Sequence, residues 1–299
     1  MTLFYSDVFV LPLPSHHRFP MGKYVRLRER LLASGAFSER DFRVPEAATD
    51  AEITRVHSAH YLERVAMGAL DAAEQRAIGF PWSERMVERS RRSSGATLAA
   101  AREALACGWS ANLAGGTHHA FRDRGEGFCV FNDAAIAARA MQVEAGLQRI
   151  AIVDCDVHQG NGTASIFAGD ESVFTFSMHG VNNFPFRKET SDLDIELADG
   201  TRDDEYLWHL ERGLDETLER ARPQLAFYLA GADPYEDDRL GRLKLRKQGL
   251  LRRDELVLST LAARGIPVAI SMAGGYARDI EDSIEIHANT LLAARRMES

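Results

Sequence analysis

Four short apolar runs, separated by segments of helical periodicity, constrain this chain more than any other feature. Arg149-Ile-Ala-Ile-Val-Asp154 and residues 173–177, 225–230 and 268–272 are each short, rich in apolar residues and followed by turn chemistry, so each reads as a buried strand. Between them Leu207, Leu210, Leu214, Leu218 and Ala221 recur at spacings of three or four and give one apolar helix face. That helix carries Asp203, Asp204 and Glu205 in its first turn and is followed by Pro223. Ile136, Ala140, Val143 and Leu147 form a similar stripe, opened by Asn132 or Asp133 and closed by Gly146. A third helix is expected over residues 84–107, with Leu98, Ala101 and Leu105 on one face. Strands alternating with helices predict an α/β chain built on a parallel sheet covered on both faces. The first ninety residues read as a strand over residues 3–5, a proline-rich loop and mostly helix. One domain over residues 1–299 is expected.

Composition narrows the function classes. Of 299 residues, 45% are hydrophobic and 27% charged, as in a globular protein with a large core. The formal charge of −8 argues against a dedicated nucleic-acid binder. The basic clusters over residues 85–92 and 239–253 lack interleaved aromatics and read as solvated faces. Cys107, Cys129 and Cys155 form no paired framework, so they are expected to be small buried hydrophobes in a reducing compartment. The N-terminus lacks a basic stretch and is broken by prolines, and no apolar run is long enough to span a bilayer. A cytoplasmic protein with no membrane partner is expected.

In an open α/β sheet the reactive residues lie beyond the carboxyl ends of the strands. Asp154-Cys-Asp156-Val-His158 follows the first run, and alternation puts Asp154, Asp156 and His158 on one face. Such oxygen and nitrogen donors suit zinc or a similar divalent ion. Asp233, after the run at 225–230, would be a third ligand and leave an open position, although an aspartate there is also an ordinary turn former. His118-His119 in the glycine loop Gly115-Gly116 can serve as a proton-transfer pair. Tyr276, after Gly274-Gly275, can offer its hydroxyl to an oxyanion or simply pack. His57 and His60 share an expected helix face and read as surface or packing residues; His209 and His287 read as structural. His16, His17 and His179 fall in loops that can border a site.

Taken in order, His118-His119, Gly127-Phe128-Cys129, Asn132-Asp133, Asp154-x-Asp156-x-His158, Asp233 and Gly274-Gly275-Tyr276 resemble the histone deacetylase family from His17 to Tyr276. Gly200-Thr-Arg-Asp-Asp-Glu-Tyr-Leu207 and Asp238-Arg-Leu-Gly241 resemble its class IV branch and bacterial relatives. The resemblance implies a three-layer α/β/α arginase/deacetylase fold with a central, mostly parallel eight-stranded sheet. It implies one Zn2+ on Asp156, His158 and Asp233, and a structural K+ on backbone carbonyls around Asp154, Asp156 and His158. His119 would act as base and acid, His118 with Asp154 would tune the charge, and Tyr276 would stabilise the oxyanion. Gly127, Phe128, Phe184, Gly274 and Gly275 would line a tunnel for an acyl-lysine stem. Asn161 stands where some members carry an aspartate; it can orient His119 but adds no charge, so a lower His119 pKa is expected. The expected activity is removal of acetyl or longer acyl groups from lysine. Competing readings are an acetylpolyamine deacetylase, a two-manganese ureohydrolase, which the lack of further carboxylates near Asp156 disfavours, and a non-catalytic acyl-lysine binder. Rim loops over residues 11–20 and 179–190 would choose among substrates.

Overall fold

The four apolar runs fold as the middle of one sheet in this computed structural model, which describes residues 1–14 and 17–298. The strands are β1 (Thr2–Phe4), β2 (Phe42–Arg43), β3 (Trp109–Asn112), β4 (Ile150–Asp154), β5 (Val173–Gly180), β6 (Leu193–Leu197), β7 (Leu225–Leu229) and β8 (Val268–Ser271). Their spatial order is β2-β1-β3-β8-β7-β4-β5-β6, and every neighbouring pair is parallel. In register, Ile152 of β4 faces Phe227 of β7 and Thr175 of β5. Successive side chains of a strand point to opposite faces, yet every residue of β4, β5, β7 and β8 is buried. Both faces of the sheet are therefore covered, and the core lies on either side of it.

Local chemistry sets the helices. The helix Asp133–Ala145 begins where Asn132 Oδ1 accepts from Ala135 N at 3.1 Å, and ends at Gly146 with φ 68°. Glu84–Cys107 starts at a Ser83 cap and packs on β3, β8 and the helix Asp133–Ala145. Asp203–Ala221 packs on β5 and on Lys247–Ala263, and closes with Arg222 in the left-handed region at φ 44° instead of a glycine. No helix among the described residues is long and apolar enough to cross a membrane.

The structure departs from expectation at several places. β1 begins one residue earlier than expected, and β5 runs on to Gly180. β2, β3 and β6 lie outside the four runs. β3 is short and polar, but burial is tolerated because Ser110 Oγ donates to Thr2 O at 2.8 Å and Asn112 Nδ2 to Ser93 O at 3.0 Å. β6 is an edge strand whose Asp194 and Glu196 break the apolar pattern. Neither basic cluster is wholly solvated: Arg89 and Arg253 are buried. Arg253 is completed by Asp254 at 2.8 Å and by the carbonyls of Gly231 and Cys155, which explains how its charge is tolerated. Cys107 is exposed, unlike Cys129 and Cys155, because it ends a helix at the surface.

Candidate active site

Parallel strands deliver their carboxyl ends to one edge of the sheet, and the loops after β3, β4, β7 and β8 meet there. Strand pairing stops at Asp154 and the chain bends over residues 156–158, so a turn rather than continued strand alternation places these side chains. Asp154 turns to His118, Asp156 and His158 turn to Asp233, and Cys155 lies on the other side beside Arg253.

Asp156, His158 and Asp233 place one donor atom each within 4.8 Å of one another. His158 Nδ1 lies 2.9 Å from Asp156 Oδ1 and 3.2 Å from Asp233 Oδ2. The outer oxygens are held by backbone: Asp156 Oδ2 accepts from Gly274 N at 2.7 Å and Asp233 Oδ1 from Val157 N at 2.9 Å. Asp233 Oδ2 is buried and lacks a hydrogen bond of good geometry. Burial and the neighbouring Asp156 push Asp233 up to about 7. Two buried carboxylates with an orphaned acceptor between them are costly without a cation, so this donor set fits a divalent metal. A side chain at Gly274 would overlap Asp233 Oδ2 and Asp156 Oδ2, so only glycine lets the β8 loop approach the triad.

The surroundings push the two adjacent histidines in opposite directions. Burial alone would lower His118, but Asp154, with its Oδ2 2.5 Å from Nδ1, and Asp156 outweigh it and raise the imidazole to about 9. His119 is driven well below 6.5 by burial and by the neighbouring His118 and His158. Its Nδ1 faces Asn161 Oδ1 at 2.7 Å, and Asn161 Nδ2 in turn donates to Glu126 Oε1 at 2.6 Å. Tyr276 is held well above 10 by burial and then by Asp156 and Asp233, so it keeps its hydroxyl proton. The surroundings thus favour a charged imidazole at His118, a neutral one at His119 and a neutral phenol at Tyr276.

These groups share a cavity of about 380 Å³. Gly127, Phe128, Phe184, Gly274 and Tyr276 line it with His118, His119, Asp156 and His158. A Cβ at Gly127, which has φ 56°, would stand 2.5 Å from His119 Cδ2. Phe184 stacks edge-on against His119 with ring centroids 4.9 Å apart. Gly275 is a correction to the expected tunnel: it faces Ala232 and His287, behind the wall, and serves the turn instead. His179 is also corrected, being fully buried in β5 rather than at a rim. His17 contacts Gly79 O at 2.8 Å and lies near Phe128 without lining the cavity; His16 lies outside the described residues. His57 and His60 share no helix face, since His57 precedes the helix Ala59–Ala66 and is buried while His60 is exposed.

The structure also brings in residues that were not among the candidate site residues. Phe19, Tyr24 and Arg89 line the inner wall, and Arg18, Arg242 and Phe186 line the exposed part. Lys23, fully buried, donates to Ala273 O at 3.1 Å behind Tyr276, and burial lowers it to about 8. Asp238 accepts from Tyr276 N at 2.6 Å and anchors that turn. Asp238 falls in the motif at residues 238–241, and Arg18, Phe19 and Phe186 in the rim loops at 11–20 and 179–190; for Lys23, Tyr24, Arg89 and Arg242 spacing carries no signal.

A model of the histone deacetylase domain matches residues 17–291. Histone deacetylase 2 of Arabidopsis thaliana is 31% identical over 292 residues, which cover 93% of this chain and 76% of that protein. A histone deacetylase-like amidohydrolase of Pseudomonas aeruginosa is 31% identical over 269 residues, covering 84% of this chain and 70% of the relative. The crystal structure of an HDAC homologue from Aquifex aeolicus has the same fold, with a TM-score of 0.83 at 23% identity over 98% of this chain and 83% of that one. With its eight-stranded parallel sheet and this match across almost its whole length, the chain belongs to the histone deacetylase family.

Proposed function

We propose that this protein is a zinc-dependent amidohydrolase that removes acetyl or longer acyl groups from lysine side chains. The observation that carries the reading is the convergence of Asp156, His158 and Asp233 with His118, His119 and Tyr276 around one cavity. Asp156, His158 and Asp233 would hold the zinc, which supplies Lewis acidity toward the amide carbonyl and toward water. His119, neutral, accepts the proton of the attacking water at Nε2 and returns it to the leaving amine nitrogen. The Tyr276 hydroxyl donates to the oxygen that becomes negative. His118 stays charged beside Asp154 and favours that developing charge. Phe128 and Phe184 wall an apolar passage suited to a lysine stem.

The lining favours acyl-lysine over an acylated polyamine. Arg18 and Arg242 lie at the open end, and Asp156, in the triad, is the single carboxylate among the described lining residues. A polycation entering there meets like charge. Three free thiols suit the reducing cytoplasm we assign to the protein.

The test is kcat/KM on acetyl-, octanoyl- and myristoyl-lysine peptides beside acetylated putrescine and spermidine, with elemental analysis of the same preparation. One zinc per chain and turnover of a lysine peptide are expected, with potassium as a second ion. Preferential turnover of the polyamines would replace the substrate assignment. Zinc binding without turnover of any substrate would leave an acyl-lysine binding protein.

A further inference from the structure

His119 can act as a base at Nε2 only in one of its two neutral tautomers. With the proton on Nδ1, Nε2 keeps a lone pair; with the proton on Nε2, it has nothing to accept with. Asn161 faces Nδ1 at 2.7 Å but does not choose between them. An amide can present either its oxygen or its NH2 group, and the two are related by a flip. An aspartate at this position would accept a proton from Nδ1 without ambiguity. Asparagine needs a third group to fix it.

Glu126 is that group. Asn161 Nδ2 lies 2.6 Å from Glu126 Oε1. A carboxylate has only acceptor oxygens, so the amide must turn its NH2 toward Glu126 and its oxygen toward His119. The imidazole must then carry its proton on Nδ1. The backbone carrying Glu126 is anchored: Cys129 N donates to its carbonyl at 2.9 Å, and the next two residues, Gly127 and Phe128, donate to Ala77 O and Ile78 O at 2.9 and 2.8 Å. Gly127 also packs directly on the His119 ring, so the turn bearing Glu126 and the imidazole are positioned together.

We propose that Glu126 is a positioning residue that, through the amide of Asn161, locks His119 in the tautomer with a free Nε2. The inference rests on the reading of His119 as base, but the tautomer can be observed without turnover. Long-range proton–nitrogen correlation spectra of imidazole-labelled, zinc-loaded protein assign the His119 signals by their loss in His119→Ala. In the native chain Nδ1 is protonated and Nε2 is not. In Glu126→Ala the amide is free to flip, and a mixture of both tautomers is expected with unchanged zinc content. The matching kinetic expectation is a loss of about 10-fold in kcat with KM within about 2-fold, the scale of a lost orienting contact.

A second pair of variants separates positioning from packing. Asn161→Asp alone sets two carboxylates against each other and should lower kcat. Adding Glu126→Gln restores a donor for the new aspartate, so the double variant should be faster than Asn161→Asp by about 10-fold or more. A native tautomer in Glu126→Ala, or losses that simply add in the double variant, would overturn the proposal. A shifted tautomer in a protein whose native form hydrolyses no amide would uphold it and instead overturn the amidohydrolase reading.

Discussion

Tyr276, which lines the cavity, and Asp233, in the triad beside it, are predicted to fail differently. Tyr276 is held protonated by burial and by the two carboxylates beneath it, so its hydroxyl is a ready donor. Tyr276→Phe removes that donor and leaves the triad whole. Zinc content should stay at one per chain while kcat falls by about 10²–10³-fold, the usual cost of one oxyanion donor. Asp233→Ala should abolish both, because two remaining ligands hold the ion poorly. Metal analysis and kcat on the two variants check this, and a fully active Tyr276→Phe would remove the proposed oxyanion role. At this scale the reactive residue types are readable from order and spacing, because strand ends in a parallel sheet all point to one edge. What spacing does not reveal is direction. Gly275 turns behind the cavity wall while its neighbour Gly274 lies against the triad, although the two glycines look equivalent in the chain.

The β4, β7 and β8 loops are tied to one another by hydrogen bonds. Gly274 N donates to Asp156, Val157 N donates to Asp233, and Arg253 reaches the carbonyls of Cys155 and Gly231. The geometry of the candidate triad is therefore shared by three loops, and damage to one should spread. Gly274→Ala puts a methyl group into the space of Asp233 Oδ2. Zinc affinity should fall by about 10–100-fold, the range seen when groups supporting a metal ligand are disturbed. Competition with a chelator measures it, and native affinity in that variant would mean the loop can move aside. The acidic first turn, the Asn132 cap and the Gly146 stop of the helices were legible because capping is local chemistry. β3 and β6 were not, since a four-residue polar strand and an acidic edge strand exist only by virtue of their neighbours.

Across the whole molecule, burial of neutral histidine links stability to pH. His57 is fully buried, and its Nε2 accepts from Asn132 N at 2.9 Å, tying the loop ahead of Ala59–Ala66 to the start of Asp133–Ala145. Burial lowers its pKa from 6.5 to about 4. Between those values the unfolded chain binds the extra proton and the folded one does not, so stability falls as pH falls through this window. The gap is worth at most about 3 kcal/mol. Protonation also removes the acceptor that Asn132 needs. Urea midpoints at pH 7, 5.5 and 4.5 should decline for the native protein and decline less steeply for His57→Gln. Parallel declines would show that His57 does not carry this share of the pH dependence.

Periodicity in the chain is enough to establish an α/β protein with a parallel sheet, because buried strands and one-faced helices each leave a repeat that water enforces. The ordered motifs likewise place a candidate metal triad, a histidine pair and a tyrosine at strand ends. Neither source of information reaches contacts made across the sheet edge. Lys23 behind Tyr276, Arg89 in the cavity wall and Glu126 on the amide of Asn161 are brought to the site by folding from distant parts of the chain. Their side chains look like ordinary surface charges until the loops close around them. For Lys23 and Arg89 burial then removes water as an alternative partner, so each must bond to whatever the fold places within reach, while Glu126 is half-buried against Asn161.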